Sequence, residues 1–255
     1  MLLSTHGLQP KSASFIDETS WDLDGVDEKL ANPTGIANQY TTIQADAGMG
    51  ANVKWSVSFW VKLDTMETND MFYKITDSTG ATIQILYVNV VGRLTAFMTG
   101  STSNWTRSAN GAISTGSWFH VAMVYDGTLG RYSRQKIYVN ASTSGSTSNF
   151  YSANHPASTG INIGAGVSSL FINGHINEFA VFYGTALSAA DVTTLYNSGT
   201  ATDLNEFTTP PTNWYRSENA TWDGTKWTMP DANANGPNLE SENMQEASRT
   251  NDVPT

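Results

Sequence analysis

Residues 55–63 read Trp-Ser-Val-Ser-Phe-Trp-Val-Lys-Leu, which is the clearest strand pattern in the chain. Its odd-numbered residues are all apolar, whereas its even-numbered residues are serine or lysine except for Trp60. Successive side chains of a β-strand point to opposite faces, so this alternation predicts a strand with one face in a hydrophobic core. Trp60 interrupts the polar face, and we expect it to line the second, concave side of the sheet.

Similar patterns recur along the chain, separated by turn residues. They predict strands at residues 71–77, 82–91, 93–98, 118–125, 135–140, 161–164 and 172–183. Short strands at regular spacing are typical of β-sandwiches and barrels. One helix is predicted after the last strand, because Ser188 and Asp191 form a capping-box pattern and Gly199 supplies a stop signal.

The composition changes after residue 205. Residues 1–205 are predicted to form the sandwich, and residues 206–255 a linker, a small hairpin and an extended tail. The tail is poor in apolar residues, so we expect it to order only by packing on the sandwich or on a partner. The aromatic and basic residues at its start suggest a docking element, for which the candidates are Trp214, Tyr215, Arg216, Trp222 and Trp227.

The charge of the chain limits its partners. The chain has 13 lysine and arginine residues against 23 acidic residues, giving a net charge of −10. Nucleic acids and anionic membranes bind clustered basic residues, so neither is an expected partner. There is no cysteine, and the first residues lack the basic and apolar segments of a signal peptide. We therefore expect a chain that folds in a cytoplasm without disulfides.

Several segments, in order, resemble laminin-G-like, concanavalin A-like lectin domains. They are residues 21–28 (Trp-Asp-Leu-Asp-Gly-Val-Asp-Glu), 59–62 (Phe-Trp-Val-Lys), 118–127 (Trp-Phe-His-Val-Ala-Met-Val-Tyr-Asp-Gly), 136–140 (Lys-Ile-Tyr-Val-Asn), 174–182 and the helix at 186–199. The resemblance implies an all-β fold: a two-sheet antiparallel jelly-roll sandwich with one short helix near its C-terminal end.

The resemblance also implies a possible cofactor. Relatives commonly hold one structural Ca²⁺ between the first strand and an Asp-Glu pair of the last strand. The matching residues here are Asp24, Asp27, Asn177 and Glu178, with Asn177 in place of the aspartate. That replacement removes one charge from the ligand set. The alternative is that Asp24 belongs to an ordinary turn and binds no metal.

Binding is favoured over catalysis. Glycoside hydrolysis on this fold needs two carboxylates on one strand face, and the Glu-x-Asp-x-x-Glu pattern that supplies them is absent. Glycan binding needs aromatic rings beside polar groups. The candidates are Trp60, Tyr87, Trp105 and Tyr138, which we expect on the concave face or its rim, although aromatic residues of a sandwich are more often core.

The tail carries a second resemblance. Residues 214–216 (Trp-Tyr-Arg), residues 231–236 and Met244 are similar to the C-terminal segment of virion proteins from tailed phages, particularly marine ones. This implies a capsid decoration (cement) or fibre protein on the virion surface. Its partners would be capsid or tail proteins, and the protein would form a homo-oligomer. It could also adhere to glycans. The alternative is a carbohydrate-binding module or adhesin of a bacterial surface protein.

Overall fold

The structure is a computed structural model of the 255-residue chain. It describes residues 15–32, 54–77, 80, 82–98, 105–130, 132–147, 158–166, 170–234 and 236–255. Within these ranges the chain forms seventeen β-strands, one α-helix and three short 3-10 turns.

The elements follow one another in this order: β1 (Ser20–Asp24), β2 (Lys29–Ala31), β3 (Lys54–Leu63), β4 (Asp70–Asp77), β5 (Thr82–Val88), β6 (Leu94–Met98), β7 (Trp105–Ser108), β8 (Trp118–Asp126), β9 (Gln135–Val139), β10 (Ser142–Thr147), β11 (Ser158–Ile163), β12 (Asn173–Tyr183), α1 (Ala189–Tyr196), β13 (Asn213–Tyr215), β14 (Thr221–Trp222), β15 (Trp227–Met229), β16 (Leu239–Glu242) and β17 (Arg249–Thr250).

The strands form two antiparallel layers. Sheet I has the order β12–β3–β8–β9–β10. On the outer edge of β12, β1 pairs with its first half and β13 with its second half. β17 pairs with β1. Sheet II has the order β14–β15–β16–β2–β11–β4–β5–β6–β7. The two sheets join where β7 pairs β10. This arrangement confirms the predicted antiparallel sandwich.

The core lies between the sheets, and the alternation of residues 55–63 positions it as predicted. Val57, Phe59 and Val61 are fully buried in the main apolar cluster. The ring of Phe59 lies 5.5 Å from that of Phe72 in sheet II and 5.6 Å from that of Phe179 in β12. Aromatic contacts at these distances add to the free energy of burying the rings.

A second apolar cluster lies on the outer side of sheet I, where α1 and the loop after it cover the strands. Val192 and Leu195 of the helix pack there with Phe182 of β12. The capping box is present, because Ser188 Oγ accepts from Asp191 N at 3.1 Å and Ser188 N donates to Asp191 Oδ2 at 2.8 Å. The helix stops at the left-handed Asn197, two residues before the predicted Gly199. No helix in the described ranges is long and apolar enough to cross a membrane.

The structure places the described residues of the 206–255 segment against both sheets of the same sandwich. β13 extends sheet I beside β12, and β16 extends sheet II beside β2. The predicted hairpin is formed by β14 and β15. Leu239 and Met244 are buried in the main core, so these apolar residues of the tail pack against the sandwich.

Asp231 holds two parts of the tail together. Its Oδ1 accepts from the backbone N–H groups of Trp214 (2.8 Å) and Asn233 (3.2 Å). Its Oδ2 accepts from Asn213 Nδ2 (2.9 Å) and from the backbone N–H of Gly236 (2.8 Å). The carboxylate is buried, so a single side chain satisfies donors at both ends of the 213–236 segment. This part of the tail motif therefore has an internal structural role.

We predict that Asp231→Ala lowers the free energy of unfolding by about 2–4 kcal/mol, because it leaves buried donors without an acceptor. Urea denaturation measures the change. Asp223→Ala is the matched control, since Asp223 accepts from Thr225 and Lys226 N–H groups in an exposed turn. We expect it to cost less than about 1 kcal/mol. Equal effects of the two substitutions would show that Asp231 does not hold the tail.

Candidate functional site

The structure does not bring the four predicted calcium ligands together. Asp24 pairs with Asn173 in β12, four residues before Asn177, a separation of about 13 Å along the strand. Asp24 Oδ1 instead accepts from the backbone N–H groups of Val26 (2.8 Å) and Asp27 (3.3 Å). Asp24 and Asp27 thus belong to a turn that the Asp24 carboxylate stabilises by accepting from the backbone.

Glu178 lies in a different environment, inside a bulge of β12. Its φ is 51°, and the register with β3 shifts between Asn177 and Ala180. The side chain is buried, and both of its oxygens have donors. Trp214 Nε1 donates to Oε2, and Arg216 Nε donates to Oε1 at 2.9 Å. A bulge re-aims a side chain, and here it turns the carboxylate toward the tail.

Arg216 joins three parts of the chain. Its guanidinium lies 4.7 Å from the ring of Phe15 and 4.8 Å from that of Trp214. It also donates to the backbone oxygen of Ile16 and lies 3.6 Å from Glu218 Oε2. The N-terminal arm, β12 and the tail therefore share one cation. A cavity of about 520 Å³ opens beside it, lined in part by Phe15, Arg216 and Glu218.

Carboxyl groups outnumber the guanidinium at this point. Asp17, Glu178 and Glu218 place oxygens within 4.8 Å of one another, and Asp17 Oδ1 accepts from Asn177 Nδ2 at 2.6 Å. Burial raises the pKa of Glu178 to about 8, against the opposing effect of Arg216. Burial also raises the pKa of Asp17 to about 6. Low local polarity disfavours the charged form of each carboxyl group.

These residues do not fit a calcium ion. Ca²⁺ needs six to eight oxygen ligands. Both oxygens of Glu178 already accept hydrogen bonds, and the guanidinium of Arg216 lies among the carboxylates where a second cation would be repelled. The predicted calcium site is therefore not supported by the arrangement of its own ligands.

The predicted docking residues are mostly inside the domain. Trp214, Tyr215 and Trp227 are 1%, 2% and 3% exposed, so their rings contact the sandwich and are not available to another molecule. Arg216 is occupied as described above, and Trp222 packs at 5.4 Å against Trp227. The structure corrects the prediction, because these residues dock the tail onto its own domain.

Two of the four predicted glycan-binding aromatics are also buried. Trp60 is 3% exposed, and its ring lies 5.8 Å from that of Tyr196 in α1. Tyr138 is 3% exposed and belongs to the apolar cluster beneath the helix. Both side chains are on the outer side of sheet I, as alternation requires, but the helix and the loop after it cover that side. Neither ring can stack on a surface ligand.

The other two, Tyr87 and Trp105, lie on the outer side of sheet II. The strand register places Ile85, Phe97 and Trp105 in one row across β5, β6 and β7, and Tyr87, Thr95 and Arg107 in the next. Adjacent strands are about 4.8 Å apart, so Tyr87 and Trp105 are about 12 Å apart along the diagonal. Their rings are half-buried.

Two arginines complete this surface. Arg107 is exposed, and its guanidinium lies 3.9 Å from the centroid of the Trp105 ring. Arg93 comes just before β6. Its backbone oxygen accepts from Asn89 N at 3.2 Å, so the pairing of β5 with β6 continues to this residue. Arg93 is two residues before Thr95 and therefore lies on the same side of the sheet. We call the surface made by Tyr87, Arg93, Phe97, Trp105 and Arg107 the aromatic–arginine patch. Sequence reasoning identified its two predicted rings and missed its arginines.

A polar cluster on the outer side of sheet I was also missed. Asp22, Asp64 and His175 place potential ligand atoms within 4.8 Å of one another. The tail covers part of this cluster, since Asp252 accepts from Trp118 Nε1 at 2.8 Å and from Lys62 Nζ. Contacts between residues that are so distant in the sequence leave no local signal in it.

We predict that the contribution of Asp17 and Glu178 to stability falls as the pH rises from about 4 to about 8. The pKa values of Asp17 and Glu178 are raised from 3.8 and 4.5, so between these limits these two groups hold more protons in the folded state than in the unfolded chain. Burial lowers the pKa of His120 to about 3, so its opposite contribution is common to the wild type and the variant and is removed by comparing them. Glu178→Gln removes the larger contribution. Between about pH 5 and pH 8 the wild type should lose at least about 1 kcal/mol more than the variant in denaturant titrations. The exposed Glu206→Gln is the control, and parallel pH profiles for wild type and Glu178→Gln would contradict the prediction.

Solved structures share this fold. A protein from Bacteroides ovatus whose carbohydrate binding is proposed aligns with a TM-score of 0.61 at 17% identity, over 93% of this chain and 61% of that one. The present chain thus spans less than two thirds of that protein. The CBM40 domain of the Ruminococcus gnavus IT-sialidase aligns with a TM-score of 0.51 at 11% identity, over 69% of this chain and 97% of that one. At these identities the likeness shows the fold alone.

A search of curated proteins gave no match. A family profile does match: the laminin-G-type profile described as the concanavalin A-like lectin/glucanases superfamily aligns with residues 34–193, more than half of the chain. Sequence motifs, sheet topology and profile agree. The chain belongs to the concanavalin A-like lectin/glucanases superfamily.

Proposed function

We propose that this chain is a carbohydrate-binding domain without catalytic activity, and that the aromatic–arginine patch is its glycan platform. The observation that carries the proposal is the pair of half-buried rings, Tyr87 and Trp105, on an outer sheet face. A sugar ring has apolar faces and polar edges, so it binds to aromatic side chains that lie beside hydrogen-bonding side chains. A spacing of about 12 Å suits two or more sugar residues of an extended chain.

The chemistry of the patch supports binding over hydrolysis. Glycoside hydrolysis uses a pair of carboxyl groups that flank the scissile bond. Strands β5, β6 and β7 contain no aspartate or glutamate. A glycan that lies across the described residues of these strands therefore contacts no carboxyl group that could act as a catalytic acid or base. The superfamily and the carbohydrate-binding proteins that share the fold are consistent with this proposal.

We expect Trp105→Ala and Tyr87→Ala each to weaken glycan binding about tenfold or more, because each removes one stacking surface. A glycan array identifies ligands, and isothermal titration calorimetry on the best of them measures the loss. Tyr132→Ala is the control, since Tyr132 is 54% exposed in the turn between β8 and β9, outside the patch. A blank array, unchanged affinity in both patch variants, or release of reducing sugar from the ligand would overturn the proposal.

We further propose, from the resemblance of the tail, that the domain is displayed on the virion of a tailed phage as a decoration or fibre protein. The acidic surface, with a net charge of −10, supports solubility in such a setting. The surface that docks on the particle must then lie outside the buried tail aromatics. Mass spectrometry of purified particles is expected to detect this chain at a fixed ratio to the capsid protein. Its absence from particles would favour the alternative, a bacterial surface protein.

A further inference from the structure

We infer that the aromatic–arginine patch selects anionic glycans, those carrying carboxylate or sulfate groups beside their rings. The inference rests on the proposed function and names the ligand class of the same site. Arg93 and Arg107 would bind the anionic groups, while the neighbouring rings contact the sugar faces.

The two guanidinium groups are placed close together around one buried residue. Thr95 is 4% exposed, and the register sets it between Tyr87 on β5 and Arg107 on β7. Arg93 lies two residues before Thr95 on β6, so Arg93 and Arg107 are diagonal neighbours across adjacent strands. Such neighbours have Cβ atoms about 7–8 Å apart, within reach of long side chains. One anionic group can therefore contact both arginines, or two successive groups can contact one each.

The charge around the patch is opposite to that of the whole chain. No aspartate or glutamate occurs between Asp77 and Asp126, in a chain that has 23 acidic residues. The cations within that stretch are Arg93 and Arg107. Lys74, paired with Ile85, adds a third cation at the edge of the patch. The patch is thus locally positive on a protein of net charge −10.

Five cations elsewhere in the described structure are neutralised by carboxylates, whereas Lys74, Arg134, Lys136, Arg249 and the two arginines of the patch form no salt bridge with a described residue. Lys29, Lys54, Lys62, Arg216 and Lys226 each form a salt bridge with a carboxylate. Within the described residues, Arg93 and Arg107 form none. The Nε of Arg93 is buried and has no hydrogen-bond partner there. A buried donor without an acceptor is unfavourable, and an oxyanion can form a charge-assisted hydrogen bond with this guanidinium without displacing a carboxylate of the described structure.

Trp105 prepares Arg107 for this role. The guanidinium lies 3.9 Å from the ring centroid, so the indole holds its planar fork on the surface. One face of the indole is then shared with the guanidinium, and the two form a joint platform. A ligand anion approaches the edge of the guanidinium while a sugar ring lies against the neighbouring aromatic surface.

The test uses the full chain and two pairs of polymers that differ only in charge. Polygalacturonate is compared with its fully methyl-esterified form, and dextran sulfate with dextran. Affinity gel electrophoresis and calorimetry measure binding. We expect at least one anionic polymer to bind about tenfold or more tightly than its neutral counterpart, with an affinity that falls as salt is added. The pair that responds identifies carboxylate or sulfate as the preferred group. Non-specific attraction does not explain such binding, because the protein as a whole repels polyanions.

The variants locate the effect. Arg93→Gln and Arg107→Gln are each expected to weaken anionic binding about tenfold and to leave the thermal midpoint unchanged, since neither arginine forms a salt bridge among the described residues. Arg134→Gln is the matched control, because Arg134 lies in the turn before β9 and donates to Leu129 O at 2.9 Å. Equal binding to charged and neutral polymers, or array ligands that are all neutral, would overturn this inference and leave the carbohydrate-binding function standing. Anionic binding that survives both patch variants would overturn the assigned site. No glycan binding at all would overturn the proposed function as well.

Discussion

The buried pair of Glu178 and Arg216 is the constraint on which the rest of the molecule depends. A carboxyl group that a bulge places inside the central strand β12 needs a hydrogen-bond donor for each of its two oxygens when it is buried. The tail supplies both, through Arg216 and Trp214. Arg216 in turn holds the N-terminal arm at Ile16 and Phe15. Residues 15–16 and the start of the tail at residues 214–216 are thereby fixed to β12.

Local patterns in the sequence were sufficient for the fold. The alternation of residues 55–63 identified the strand and the side that faces the core, and the Ser188–Asp191 pair identified the start of the helix. These features depend on residues a few positions apart. The order of the tail depends on Asp231, which bonds to residues up to 18 positions away, and on buried Leu239 and Met244, which pack in the main core of the sandwich. Low apolar content suggested disorder there, although a few well-placed apolar side chains were enough.

The candidate site was predictable to the extent that it depends on strand alternation. The rule used was that glycan binding needs aromatic rings beside polar groups, and Tyr87 and Trp105 satisfy it on the outer side of sheet II. Trp60 and Tyr138 satisfied the same rule, but alternation cannot tell which sheet the helix covers. The cation beside Glu178 is Arg216, which lies 38 residues further along the chain. Because nothing near Glu178 in the sequence indicates this arginine, the pattern of possible ligands alone predicted calcium. A stretch of sequence without acidic residues was the available signal for Arg93 and Arg107.

The pairing of β1 with β17 has a consequence for how the chain folds. Ser20 lies opposite Thr250, so a contact between the two ends of the described chain closes one edge of sheet I. Contacts of such long range are slow to form, because the loop that joins them must first be closed at an entropic cost. During synthesis, β12 can pair with β3 well before residue 250 is available, whereas β1 gains its second neighbour last. Until then β1 remains an open edge that can pair with another chain, and folding of this domain is most exposed to aggregation in that interval.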